Sequence, residues 1–252
     1  MRPGERALAK LTARRGEVVL GAVSLAGMVA SAIMSLVVAP PDATQGDVQR
    51  LMYVHVPAAW LAYLSFFVVF VCSIAYLKTK RVRFDRVAHA SAEIGVLFTA
   101  LTVVVGALWG KPVWGTYWTW DPRLTTTAIM LLMYVGYLAV RRLPDNPVRR
   151  ARWAAVVGIV AFADIPIVQL SVEWWRSLHQ GPTIRLLGES TIAPIMLAAL
   201  LVAVAAFTVL YAYLMAVRLR VGRLEDRAAA EALSPRVGRP AEELAGQEVP
   251  VA

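Results

Sequence analysis

Six long apolar runs, separated by short charged or polar connections, dominate this chain and limit what it can fold into. They are Val18 to Pro41, Leu51 to Leu77, about Val87 to Gly110, Leu124 to Val140, Trp153 to Val172 and Ser190 to Val217. A helix crosses the hydrocarbon core of a bilayer with about 20 apolar residues. Each run is long enough, and only Glu93 and Asp164 place a carboxylate inside one. Hydrophobic residues make up 58% of the chain and charged residues 17%, against about a quarter charged in a soluble domain. Lipid, not an oversized core, must solvate that excess. The fold class expected is an all-α integral membrane protein with six transmembrane helices, the second spanning from near Pro57.

The charges say which way the chain is threaded. Of the 26 Lys and Arg residues, 21 fall before the first run, between the second and third, between the fourth and fifth, and after the sixth. The other connections hold only Arg50, Lys111, Arg123, Arg176 and Arg185. Cytoplasmic loops carry the excess of Lys and Arg, so both termini are expected in the cytoplasm and three loops outside. This sorting by side also explains the net charge of +9 without a nucleic acid partner. The first run exceeds the apolar core of a signal peptide and reads as a retained span. Residues 1–217 form the six-helix domain, and 218–252, rich in Ala, Glu, Arg and Pro, read as a cytoplasmic tail, largely disordered. The single cysteine, Cys72, sits in an apolar run and reads as a packing residue. There is no GxxxxGK[ST] phosphate loop, so the chain is not itself an ATPase of that type.

The outer side holds the unusual chemistry. The connection after the third run, residues 109–123, places Trp109, Trp114, Tyr117, Trp118 and Trp120 within twelve residues, followed by Asp121, Pro122 and Arg123. An interfacial aromatic belt accounts for one or two tryptophans per helix end, not for this density. Flat aromatic faces stack on a flat macrocycle, Gly110 and Gly115 allow close backbone approach, and Arg123 offers a planar fork to a carboxylate. Haem presents both a macrocycle and propionates. Trp114, Trp118, Trp120, Asp121 and Arg123 are therefore candidate cofactor-binding residues, although Asp121 before Pro122 also fits a helix N-cap. The spacing of Trp114, Trp118 and Trp120 excludes one helical strip and points to a folded cap over the bilayer. If locally extended, that cap puts Trp118 and Trp120 on one face.

Two of the three histidines share this side. His55 lies in MYVHVPAAW at the outer end of the second run, and His179 in VEWWRSLHQGPT of the last outer loop. Two neutral imidazoles can hold haem iron from opposite faces. His89 is at the cytoplasmic end and reads as structural. Asp164 lies mid-span beside Pro166. A structural role suits it, with Pro166 bending the helix so as to aim the outer half and the His179 loop.

The run WGTYWTWDPR resembles the tryptophan-rich WWD signature of haem-handling proteins. The flanking MYVHVPAAW and VEWWRSLHQGPT, with the six runs and the short chain, are similar to the cytochrome c maturation protein C (CcmC) branch. Tyr117 and Pro122 stand where Trp and Ala are frequent in that branch. The resemblance implies His55 and His179 as axial ligands of a transiently bound haem b. It implies an inner-membrane protein that presents haem to the periplasm and delivers it to the haem chaperone CcmE. It also implies work alongside the transporter-like subunits CcmA and CcmB and the small membrane protein CcmD. On this view the chain is a delivery protein rather than an enzyme. The alternative is a b-type electron-transfer subunit, which keeps its haem between helices inside the bilayer instead of releasing it.

Reporter fusions test the threading. Fusions after Pro41, Lys111 and Gly181 are expected to report an extracytoplasmic position, and one after Pro144 a cytoplasmic one. An extracytoplasmic signal at Pro144 would refute the six-span topology.

Overall fold

The computed structural model describes residues 3–143, 146–179, 181 and 192–237. Backbone N–H and C=O groups in a bilayer find no water to bind, so a spanning segment must satisfy them internally. The long apolar segments among the described residues are helical. They form α1 (Pro3–Ile33), α2 (Met52–Thr79), α3 (Val82–Trp114), α4 (Pro122–Val140), α5 (Pro147–Phe162), α6 (Asp164–Trp174) and α7 (Pro194–Val237). A π turn (Met34–Val38) closes α1 and a 3-10 turn (Asp47–Leu51) opens α2. There is no strand among the described residues, only an isolated bridge between Asp42 and Gly46. Six helical stretches are long and apolar enough to cross a membrane, with α5 and α6 together forming the fifth.

The boundaries differ from the sequence expectation in ways that matter for the site. Helix α2 starts at Met52, one residue after the start of the second apolar run, so His55 lies one turn inside it. Pro57 is accommodated within the helix. Helix α3 runs on to Trp114, so much of the expected loop 109–123 is helical and only about 115–121 is irregular. Helix α7 passes 217 without a break and reaches Val237. At 1.5 Å per residue its 44 residues extend roughly 66 Å. The remainder of the expected tail, 238–252, lies outside the described residues.

The fifth span breaks where the sequence placed Pro166. A proline nitrogen has no hydrogen to give the carbonyl four residues back, and the helix yields at Ala163 between α5 and α6. Below the break, Phe162 stacks on Phe70 of α2, with ring centroids 4.3 Å apart. Above it, α6 leans on α4.

Helices α2 and α3 form the centre, flanked by α7 and α1 on one side and by α4 and α5 on the other. Small residues let their backbones approach, as in membrane bundles generally. Ala58, Ala62, Ala88 and Ala92 are buried, and the Ser91 hydroxyl donates to the Ser65 carbonyl at 2.7 Å. Phe66 stacks flat on Tyr134 of α4 at 3.4 Å.

The basic end is held by ion pairs between helices. The Arg141 guanidinium grips both oxygens of Asp85 at 2.7 Å and lies mostly buried. Arg218 pairs with Glu93, Arg220 with Glu17, and Arg86 with Asp226. His89 faces Glu93 at 3.5 Å, which puts it in this network and away from the aromatic end.

A methyl group at Gly95 would lie 2.4 Å from Phe66 Cε1 and 2.9 Å from Ser65 Cβ. Gly95→Ala is therefore expected to force α2 and α3 apart and to cost about 1–3 kcal/mol. A lowered thermal midpoint of the protein in detergent would show this. Gly136→Ala, which meets nothing within 4 Å, serves as the control.

Candidate functional site

At the aromatic end the helices finish and the backbone becomes irregular. Gly115 ends α3 in the left-handed region (φ 80°), and its N–H bonds to the Lys111 carbonyl at 3.0 Å. The chain turns through Thr116, whose hydroxyl donates to the Trp118 carbonyl. It re-enters helix at Pro122, where Asp121 caps α4 through the Arg123 N–H at 2.9 Å. Between these ends lies a cavity of about 590 Å³, within the range of about 300–1,000 Å³ for cofactor sites. It is bounded by α2, α3, α4, α6 and the residues leading to His179, and its floor reaches Ala62, Tyr63, Thr99 and Met130.

Both outer histidines line this cavity, though 124 positions separate them in the chain. His55 enters from α2. Its Nδ1 is buried against α3, where a Cβ on Gly106 would stand 2.8 Å from the ring's Cε1 and 3.2 Å from Nδ1. Trp109 packs edge-on against His55, with ring centroids 5.8 Å apart, and its indole N–H donates to the Gln45 carbonyl oxygen Oε1 at 2.8 Å. Gln45 in turn belongs to a turn organised by Asp42, which accepts from the N–H groups of Thr44 and Gln45 and from the Thr44 hydroxyl. The Gln45 N–H first, and then Thr44, hold the Asp42 carboxyl below its ordinary pKa. His179 enters from the segment after α6, with its ring 6.3 Å from that of Trp114.

The aromatic residues divide into two groups. Trp114 folds back on Gly110, where a Cβ would meet its ring at 2.9 Å. Trp114 and Trp118 line the cavity. Trp120 stands perpendicular to Trp118 at 5.9 Å and is 83% exposed, outside the cavity. Trp174, Trp175 and Leu178 are also exposed, and Tyr117 is exposed while lining the cavity. Arg123 lines the cavity and donates to Gln169 Oε1 at 3.0 Å. It has no acidic partner among the described residues. The Asp121 carboxylate, by contrast, is buried and bonded to Ser177 and Leu178 as well as to the α4 N-terminus.

A flat macrocyclic cargo with carboxylates fits these residues. Two imidazoles enter one cavity from different elements, Gly106 and Trp109 pack against the His55 ring, aromatic faces line the walls, and Arg123 has no acidic partner among the described residues. Gln45, Gly106, Trp109 on His55, Tyr63 and Gln169 had no separate signal in the sequence. Gly106 was one glycine in an apolar run, and Gln45 one polar residue in a short loop.

Residues 5–234 match the profile of the family described as heme exporter protein C. The chain belongs to that family. It is 43% identical to a heme exporter protein C of Bradyrhizobium diazoefficiens over 173 residues, which are 69% of this chain and 66% of that one. The match thus spans just under two thirds of that relative's length. It is 39% identical to the Haemophilus influenzae protein of the same name over 196 residues, 78% of this chain and 80% of the relative. The Escherichia coli K12 protein of that name is 36% identical over 182 residues, 72% and 73% of the two chains.

Gly106→Ala is expected to push the His55 ring off its seat and to weaken a ligand held there by about 10- to 100-fold, the usual effect of disturbing a supporting contact. Titration of the purified protein with haem, read in the visible spectrum, measures this. A curve matching that of the unaltered protein would show that α3 does not set the ring.

Proposed function

We propose that this chain binds haem b transiently, with His55 and His179 as axial ligands, and delivers it to the periplasmic haem chaperone CcmE during maturation of c-type cytochromes. The observation that carries this reading is the convergence of the two imidazoles on one aromatic-walled cavity. Neutral imidazoles suit haem iron. Trp114 and Trp118 offer faces to the macrocycle, and Arg123, restrained by Gln169, offers a charged fork to a propionate. The names of the relatives in Bradyrhizobium, Haemophilus and Escherichia coli support export of haem as the setting. The chain needs no catalytic group for this role. It holds and orients the cargo, and the reactive chemistry belongs to the haem and its receiver.

Orientation follows from the charge sorting. Both termini lie in the cytoplasm and the cavity opens to the periplasm from the bacterial inner membrane. CcmA, CcmB and CcmD are the partners in the same complex. Exposed aromatic rings such as Trp120, Trp174 and Trp175 are the groups offered to the chaperone, since large apolar side chains left open to water mark interaction sites.

One observation favours a second reading. The cavity floor lies between helices, and His55 sits within α2, as in a b-type electron-transfer subunit. Release separates the two. A redox subunit retains its haem, whereas a delivery protein passes it on.

His55→Ala and His179→Ala are each expected to alter the haem spectrum, and His89→Ala to leave it unchanged. Trp118→Ala is expected to lower covalent haem on the chaperone while haem stays on this protein, and Trp118→Phe to have a mild effect. Covalent haem on the chaperone, scored beside retained haem, is the measurement. Normal transfer with Trp114, Trp118 and Trp120 all replaced by Ala would remove the aromatic residues from the mechanism.

A further inference from the structure

The aromatic loop and the His179 segment meet at a single carboxylate. Asp121 is 7% exposed. Its Oδ1 accepts from the Arg123 N–H at 2.9 Å and from the Ser177 hydroxyl at 3.0 Å. Its Oδ2 accepts from the Leu178 N–H at 2.7 Å. The Ser177 oxygen is itself bonded, accepting from the His179 N–H at 3.1 Å. A carboxylate offers about four acceptor sites, and three of these are filled. Two of the donors come from a segment more than fifty residues away in sequence.

Capping alone does not require this arrangement. An N-cap needs one side-chain oxygen, and Ser, Asn and Asp all supply it. Pro122 already presets the first turn of α4. The second oxygen, the burial and the reach to Ser177 and Leu178 are explained only by the joining of the two segments. Asp121 is also absent from the cavity wall, although Arg123, two residues on, is part of it.

We propose that Asp121 is a positioning residue that fixes the main chain at 177–179 so that His179 points into the cavity, and that it makes no contact with the haem. This rests on His179 being an axial ligand. The two loops thereby act as one unit. The residue that ends the tryptophan motif serves the histidine rather than the macrocycle. His55 is held by a separate chain through Gln45 and Trp109, so loss of the Asp121 clasp affects one ligand only.

Asp121→Ser isolates the clasp from the cap, because a serine oxygen can cap α4 but cannot span to Leu178. Asp121→Asn presents an N–H to the Leu178 N–H if its oxygen stays on the cap. The full-length protein is purified with haem, and its visible spectrum is recorded with and without added imidazole. Both variants are expected to lose the six-coordinate, low-spin spectrum as His179→Ala does, and imidazole is expected to restore it in all three. Haem affinity is expected to fall about 10- to 100-fold. The double variant Asp121→Ser, His179→Ala is expected to be no weaker than His179→Ala alone. Ser177→Ala, which leaves Asp121 in place, is expected to give a smaller change of the same kind.

A normal spectrum in Asp121→Ser beside an altered one in His179→Ala would reduce Asp121 to a helix cap. Loss that imidazole does not restore, or a double variant weaker than His179→Ala, would place Asp121 on the cargo or in the general fold, and either result overturns the proposal. A normal spectrum in His179→Ala would instead overturn the axial reading on which the clasp depends.

Discussion

Unpaired backbone amides are not tolerated in hydrocarbon, and the layout of this protein follows from that constraint. Every described segment at membrane depth is helical. A helix presents its side chains in fixed rows and cannot by itself wrap a flat cargo from two sides. Irregular backbone can do so, but only where water or other protein satisfies it. The proposed binding residues therefore gather at the end of the bundle where α3 ends at Trp114 and α4 begins at Pro122. The interruption of the fifth span at Ala163 uses a proline and a 3-10 bond from the Ala163 N–H to the Val160 carbonyl.

The two ends of the bundle solve different problems. The basic end is closed by ion pairs across α1, α3, α4 and α7, with the buried Arg141–Asp85 pair as its firmest element. Burial of such a pair contributes little net stability, but removal of either partner leaves an uncompensated charge. It therefore fixes how the helices are registered more than how tightly they hold. The aromatic end gives Arg123 no ion-pair partner among the described residues and leaves large apolar rings uncovered. A surface finished for stability would do neither.

The spans were legible because lipid imposes a length and a composition on them, and no tertiary detail can override either. The break near Pro166 and the cap at Asp121 were legible because each follows from a missing or a supplied hydrogen bond. The extent of the tryptophan-rich loop was not. Lys111 and Pro112 looked like the end of α3, yet proline in the last turn leaves only one carbonyl unpaired near water, and the helix ran on to Trp114. The start of α2 at Met52 agrees with the run read from Leu51, and Met52 and Tyr53 are buried against α7 and the turn after α1. The convergence of His55 and His179 in one cavity needed coordinates, since no spacing rule relates residues on different helices. So did the division of Trp118 from Trp120, which depends on how a seven-residue turn is folded.

The two imidazoles are mounted on supports of unequal stiffness. His55 belongs to a 28-residue helix packed on three neighbours, and its ring is wedged against the backbone at Gly106. His179 follows an eleven-residue stub, α6, which the break at Ala163 uncouples from the rest of its span. Bending such a stub rotates about a few residues rather than a whole membrane-crossing rod. If both imidazoles hold haem as proposed, a load shared between them would fall on a long packed helix at His55 and, at His179, on a short helix and the Asp121 clasp, so His179 would be the ligand to yield first.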